Sequence, residues 1–550
     1  LNANAGYLTV AIRLLADQGW LTCAGEPGTD GLAAEPTALG RSVITEFAGG
    51  YEGAARFLPL AARIGEILDG TAPGTAEAEL GRFTDLMRRE WDLPAPTSRP
   101  GSAQARHQVL AHLNGHLLAP LMVALTRRGT LGAGAVIDLD GPGLRQAAGI
   151  LARQGWAHVT GDQAKLTAAG EVATALAAQY RYPLVYLPLL RRVPGLIFGA
   201  GQAAEAAADG AETHLDRELD IGFSGDVFTS VCRAPFLDIA LPLFDRQPVA
   251  GQPALVVDTG CGDGTMLAAL YAAVRQQTER GRQIARHPLL MVGADPSPVA
   301  RRVAASRLAA AGVPHVIMDG DIADPDRLER ALAARGLDAR DALHVCKSAI
   351  HDRSYRPPAG GEPPADTPPA DTPPAGESAG SVSAGTVSAG TVSAGSVSAG
   401  TVSAGTVSAG SVSAGSVSAG SEPAGTVPAS CSGAYAQPDG TAIPATQMAL
   451  DLAGFFRRWR PVTGRHGWLV IEAHAVPAAT AARLIGRTIA TALDATHGYS
   501  CQYPVEPEVF AWAARTAGFR SRAHAEPAAR ALGHTLLTID HFVAEATQTR

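Results

Sequence analysis

The stretch from residue 254 to 274 constrains this chain more than any other. An apolar run ending at Asp258 meets Thr259-Gly260-Cys261-Gly262-Asp263-Gly264-Thr265 and then the helical pattern MLAALYAAV. Three glycines let the backbone turn sharply and approach a ligand where a Cβ would clash. Strand, glycine turn and helix in succession open a βαβ unit, so the strand belongs to a parallel sheet.

The rest of this half keeps that rhythm. Short apolar runs recur at 254–258, 289–294, 315–318, 342–346 and 468–473, separated by Ala-rich helical stretches. Continuous apolar strands predict a sheet covered on both faces. Runs at 520–525 and 534–542 lie close enough to form an antiparallel pair. The expected fold class is therefore α/β: a Rossmann-like, mostly parallel sheet with an antiparallel C-terminal hairpin.

The N-terminal part reads differently. Residues 7–21 carry apolar side chains at helical spacing and a new helix starts after Pro36; residues 144–176 repeat the plan around Thr160-Gly161-Asp162. Helix, wing and helix predict a winged-helix-like lid or dimerisation domain over 1–220. The recognition helix is not basic and the net charge is -7, which argues against nucleic acid as a partner. No run approaches the 18 apolar residues of a membrane span, and no leader pattern is visible. Six scattered cysteines without a C-x-x-C pair suit a reducing, cytoplasmic setting. The first residue is Leu1 rather than Met, which suggests a fragment, an alternative start or a domain cut from a larger polypeptide.

Between the halves of the α/β region, PPADTPPADTPPAGES runs into a recurring S-A-G-[ST]-V pentad. Such a segment lacks the apolar side chains to offset the entropy of ordering a chain, so 357–440 is expected to be a disordered insertion. The sheet domain then comprises 221–356 and 441–550.

The glycine loop follows the pattern D-x-G-x-G-x-G, with Asp258 at the strand end and no G-x-G-x-x-G helix entry. That favours S-adenosylmethionine over NAD, with Asp258 accepting from the cofactor's amino group. Gly260, Gly262, Asp263 and Gly264 complete the loop. Asp295 ends the second strand, where an acid suits the ribose hydroxyls. Asp319, Asp321 and Ile322 follow the third, with Asp321 placed for the adenine amino group. At the acceptor side, His351 and Asp352 follow the fourth strand, Glu472 and His474 end the fifth, and His497 and Gln502 come later. One general base would serve a plain O- or N-methyl transfer, and His351 could fill that role. This many N and O donors could alternatively hold divalent iron or manganese.

These motifs resemble a known family, the mononuclear-iron-dependent C-methyltransferase domains of apratoxin-type polyketide loading modules. The matching stretches are VVDTGCGDGTML, the TERG of Thr278 to Gly281, PLLMVGAD, GDIADP, HDRSY, RHGWLVIEAHAV and DATHGYSCQYPVEPEVF. The resemblance implies methyl transfer to a carbon alpha to a carbonyl, with a small-molecule or acyl-carrier-protein-bound acyl thioester as partner. It also implies His351 and Gln502 as ligands of Fe(II) or Mn(II), Asp352 and His497 nearby, and His497, Glu472 or Asp352 orienting a ligand or taking the proton. Two departures stand out: Ile350 replaces an acid before the motif histidine, and Ser348-Ala349 replaces Phe-Leu. A metal-free O- or N-methyltransferase and a non-catalytic binding module are the competing expectations, and a homodimer or membership of a larger synthase is left open.

Overall fold

The computed structural model describes residues 3–131, 136–199, 212–358, 427–428, 431–527 and 534–545. The insertion expected at 357–440 falls mostly outside the described residues. Its last part is described: Tyr435–Ala436 pairs antiparallel with Ala442–Ile443.

A seven-stranded sheet organises the α/β part. Its strands, numbered within this sheet, are β1 (Leu255–Thr259), β2 (Leu290–Ala294), β3 (His315–Met318), β4 (Ala342–Lys347), β5 (Trp468–Ala473), β6 (Phe519–Ala525) and β7 (Leu537–Ala544). They lie in the order β6-β7-β5-β4-β1-β2-β3. The pairs β1/β2, β1/β4, β2/β3 and β4/β5 are parallel, while β7 runs antiparallel to both β5 and β6. Every strand expected from the apolar runs is present. The fold is a Rossmann-like α/β sheet with an antiparallel C-terminal hairpin.

All of β1 is buried, because helices cover both faces. Alternation along the strand sends Leu255 and Val257 into a core shared with the helix Ala445–Trp459, while Val256 faces the helix Thr265–Gln277. Trp459 stacks on Trp468 with ring centroids 4.4 Å apart. Strand order reverses between β1 and β4, and the carboxyl ends of these strands open the crevice in which such sheets bind ligands.

The N-terminal region builds its own core around the 26-residue helix Ser102–Arg127. It holds two helix–hairpin–helix units of matching design. The strands Leu21–Ala24 and Ala33–Pro36 form one hairpin, and Ala157–Thr160 and Gln163–Leu166 the other. The next helix is capped in each by a threonine: Thr37 accepts from the Gly40 N–H and Thr167 from the Gly170 N–H. Two helical runs, Ser102–Arg127 and Arg217–Phe244, are long and apolar enough to cross a membrane by composition alone. The first lines the N-terminal core; the second packs on the sheet through Phe228, Phe236 and Phe244. The two regions meet in a small cluster where Tyr7, Val10, Tyr182 and Tyr186 pack with Ala436 and Tyr499.

Candidate active site

The glycine turn is bound to the neighbouring strand. Gly260 and Cys261 both donate to the Ala294 carbonyl, at 2.8 and 3.2 Å. Gly260, Gly262 and Gly264 have φ of 83°, 53° and 76°, a region that disfavours any Cβ. Space forbids one at 260 as well, where it would lie 2.9 Å from the Ala349 methyl.

The acids predicted for the cofactor divide into different tasks. Asp295 accepts from the Gly262 and Ser297 N–H groups at 3.0 and 2.9 Å, so it holds the loop in shape. Asp263 accepts from the Thr265 N–H and hydroxyl and pairs with Arg307 at 2.8 Å. Asp319 is drawn into ion pairs with Arg301 and Arg327. Asp321 takes the Ala323 N–H at 2.8 Å. Ile322 is buried, and its carbonyl accepts from the Trp459 indole. Asp258 differs from all of these. Its side chain is buried and Oδ1 has no hydrogen-bond partner among the described residues. Burial, followed by the charge of Asp295, pushes its carboxyl well above the usual range. A buried acid so placed fits an incoming ammonium, and the cradle fits the amino-acid end of S-adenosylmethionine.

Across the crevice, the loop after β4 carries His351 to the end of β5. Glu472, 2% exposed, accepts from the Ile350 N–H at 3.0 Å and the Ala473 N–H at 2.8 Å, and its Oε1 meets His351 Nδ1. Burial would lower the His351 pKa, but the charge and hydrogen bond of Glu472 outweigh it and hold the imidazole above its ordinary value. His497 faces His351 edge to face at 5.0 Å between centroids. Burial, and then the charge of His351, keep its pKa well below the usual value. Gln502 donates to Asp352 at 3.2 Å and to the Tyr186 hydroxyl at 3.0 Å, and accepts from the Tyr182 hydroxyl at 3.3 Å. His474 is satisfied between the Val505 carbonyl and the Thr538 hydroxyl.

The predicted acceptor-side residues thus come together: His351, Glu472 and His497 in one contact chain, Gln502 and Asp352 in another. Their chemistry also fits a divalent cation. A carboxylate behind Nδ1 is the usual support for a metal-binding imidazole. Among the described residues no three His, Cys, Asp or Glu side chains converge on one point. The Gln502 amide oxygen would have to complete such a set.

Sequence reasoning missed three contributors. Tyr182 and Tyr186 come from the N-terminal region and are joined to Gln502 only by folding. Lys347 ends β4 and donates to the Ser224 hydroxyl at 2.8 Å. Burial lowers its pKa against the raising influence of Cys232, Asp220 and Glu472. A lysine closing an apolar run was the available signal.

Among solved structures, the mitomycin 7-O-methyltransferase MmcR is similar to this chain at 12% identity and a TM-score of 0.39, covering 80% of this chain and 98% of its own. An O-methyltransferase family protein from Burkholderia thailandensis has 11% identity, a TM-score of 0.40 and coverages of 80% and 98%. The DszA carbon methyltransferase has 12%, 0.31, and coverages of 81% and 95%. No curated protein sequence matches. The AprA MT2-like domain family matches residues 212–376 and 417–535, just over half of the 550 residues and the segments that build the glycine cradle and the His351–Glu472 pair. The chain belongs to the AprA MT2-like methyltransferase family and is an S-adenosylmethionine-dependent methyltransferase.

Proposed function

We propose that the chain methylates a carbon alpha to a carbonyl, in an acyl thioester on a carrier protein or a related natural-product intermediate. His351 takes the acceptor's proton and Glu472 orients and strengthens it. The observation that carries this reading is the buried contact between Glu472 and His351 Nδ1 at the crevice; with Nδ1–H donating to that carboxylate, Nε2 is the basic nitrogen of the ring.

S-adenosylmethionine supplies an electrophilic methyl group on a sulfonium sulfur. His351 accepts the alpha proton, and the electron pair left on carbon forms the new bond to the methyl as the carbon–sulfur bond breaks onto sulfur. Glu472 stabilises the imidazolium that results. The cradle and the packed histidines exclude water and set the approach. Lowering the barrier by about 4 kcal/mol at the developing enolate is worth roughly a thousandfold in rate.

A second reading is favoured by the carboxylate of Glu472 behind His351 Nδ1, the usual support for a metal-binding imidazole. His351, Gln502 and Asp352 would hold Fe(II) or Mn(II), which supplies Lewis-acid stabilisation of an enolate, and His497, Glu472 or Asp352 would orient a ligand or take the proton. Mass spectrometry of candidate acyl-carrier and small-molecule acceptors, with and without excess chelator, tests both. A methyl found only on oxygen or nitrogen overturns carbon methylation. Full turnover in chelator leaves His351 as the base, and loss restored by iron or manganese favours the second reading.

A further inference from the structure

Lys347 carries a consequence for cofactor recognition. Asp258 is paired in register with Val345, so Lys347, two residues on, shares its face of the sheet. That face is covered by the helix Arg217–Val227. Its Ser224 meets the lysine ammonium, and a Cβ at its Gly225 would fall 2.5 Å from Asp263. The cradle is rich in acids: Asp220, Asp258, Asp263, Asp295 and Glu472. The other cations around it are spoken for. Arg307 pairs with Asp263, Arg217 with Asp220 and Glu212, and Arg301 with Asp319. Among the described residues Lys347 has a hydroxyl partner but no carboxylate within ion-pair distance. A half-buried ammonium without a carboxylate partner lies close enough to act on the charge of Asp258, which keeps a buried oxygen without a donor among the described residues.

We propose that Lys347 anchors the carboxylate of S-adenosylmethionine's amino-acid end, while Asp258 Oδ1 receives its ammonium. This pairing of a zwitterion with two groups of complementary charge rests on the chain's use of that cofactor. The two ends recognise each other's partner and reject a nucleoside that lacks them.

Calorimetry on the full chain tests this with S-adenosylhomocysteine, its decarboxylated amine analogue, and 5′-methylthioadenosine, which lacks the amino-acid end. The unaltered protein is expected to bind the decarboxylated analogue roughly 10- to 100-fold more weakly than S-adenosylhomocysteine. Lys347→Met is expected to weaken S-adenosylhomocysteine by a similar factor, to erase its advantage over the decarboxylated analogue, and to leave 5′-methylthioadenosine within about twofold. Lys347→Arg should restore most of the loss. Equal weakening of all three ligands in Lys347→Met, or no preference for the carboxylate in the unaltered protein, overturns the assignment. The latter measurement needs no variant to fold. Absence of binding by any of the three ligands would instead overturn the cofactor itself.

Discussion

At the scale of single residues, the pair His351–Glu472 sets the expected pH dependence. His351 must be neutral to accept a proton, and Glu472 raises its pKa, so activity should fall as pH drops through a value above the ordinary 6.5 for histidine. In Glu472→Gln the carboxylate is gone and burial dominates, so the acid limb of kcat should move to lower pH. The plateau should drop by about a hundredfold because the weaker base is also less well oriented. A limb that stays in place after this change would remove Glu472 from the mechanism. Gly260→Ala is a steric test of the cradle. It imposes positive φ on alanine and a 2.9 Å approach to Ala349, for a cost of about 1–3 kcal/mol. Calorimetry should show loss of S-adenosylhomocysteine affinity, with a lower melting temperature alongside.

At the scale of elements, the loop that delivers His351 is tied to the helix Ala445–Trp459 by a buried ion pair. Arg353 Nε donates to Asp451 at 2.9 Å, and the other carboxyl oxygen accepts the Arg356 N–H. Both side chains are at most 1% exposed. Removing one partner strands the other charge, so Asp451→Ala should lose about 3–5 kcal/mol in denaturant unfolding. The double change Arg353→Met with Asp451→Ala should recover much of that, and a double variant no more stable than the single one would contradict this account. The strands themselves were legible because each is a short apolar run flanked by turns. The hairpin β6/β7 was legible from proximity in sequence. Tyr182 and Tyr186 were not: their helix reads as an ordinary amphipathic segment, and 316 residues separate Tyr186 from Gln502.

At the scale of the whole molecule, the repeat between 378 and 420 separates β4 from β5, which pair with each other in register. Closure entropy grows only with the logarithm of loop length, about 0.6 kcal/mol per doubling. Deleting several pentads should therefore leave kcat unchanged and shift the unfolding free energy by well under 1 kcal/mol. A large loss of activity would show that the repeat does more than connect. The sequence by itself determined the sheet, its glycine turn and the residue types at the strand ends, because apolar periodicity and glycine's freedom at positive φ are local properties. Only the tertiary structure decided which partners each of these acids meets. Asp263, Asp295 and Asp319 read alike on paper, and packing gives each its own neighbouring N–H groups or arginines as partners. Of the acids predicted for the cofactor, Asp258 is the one whose buried oxygen has no partner among the described residues. A hydrogen bond between groups hundreds of residues apart has no sequence signal, since it exists only once packing has brought the two together.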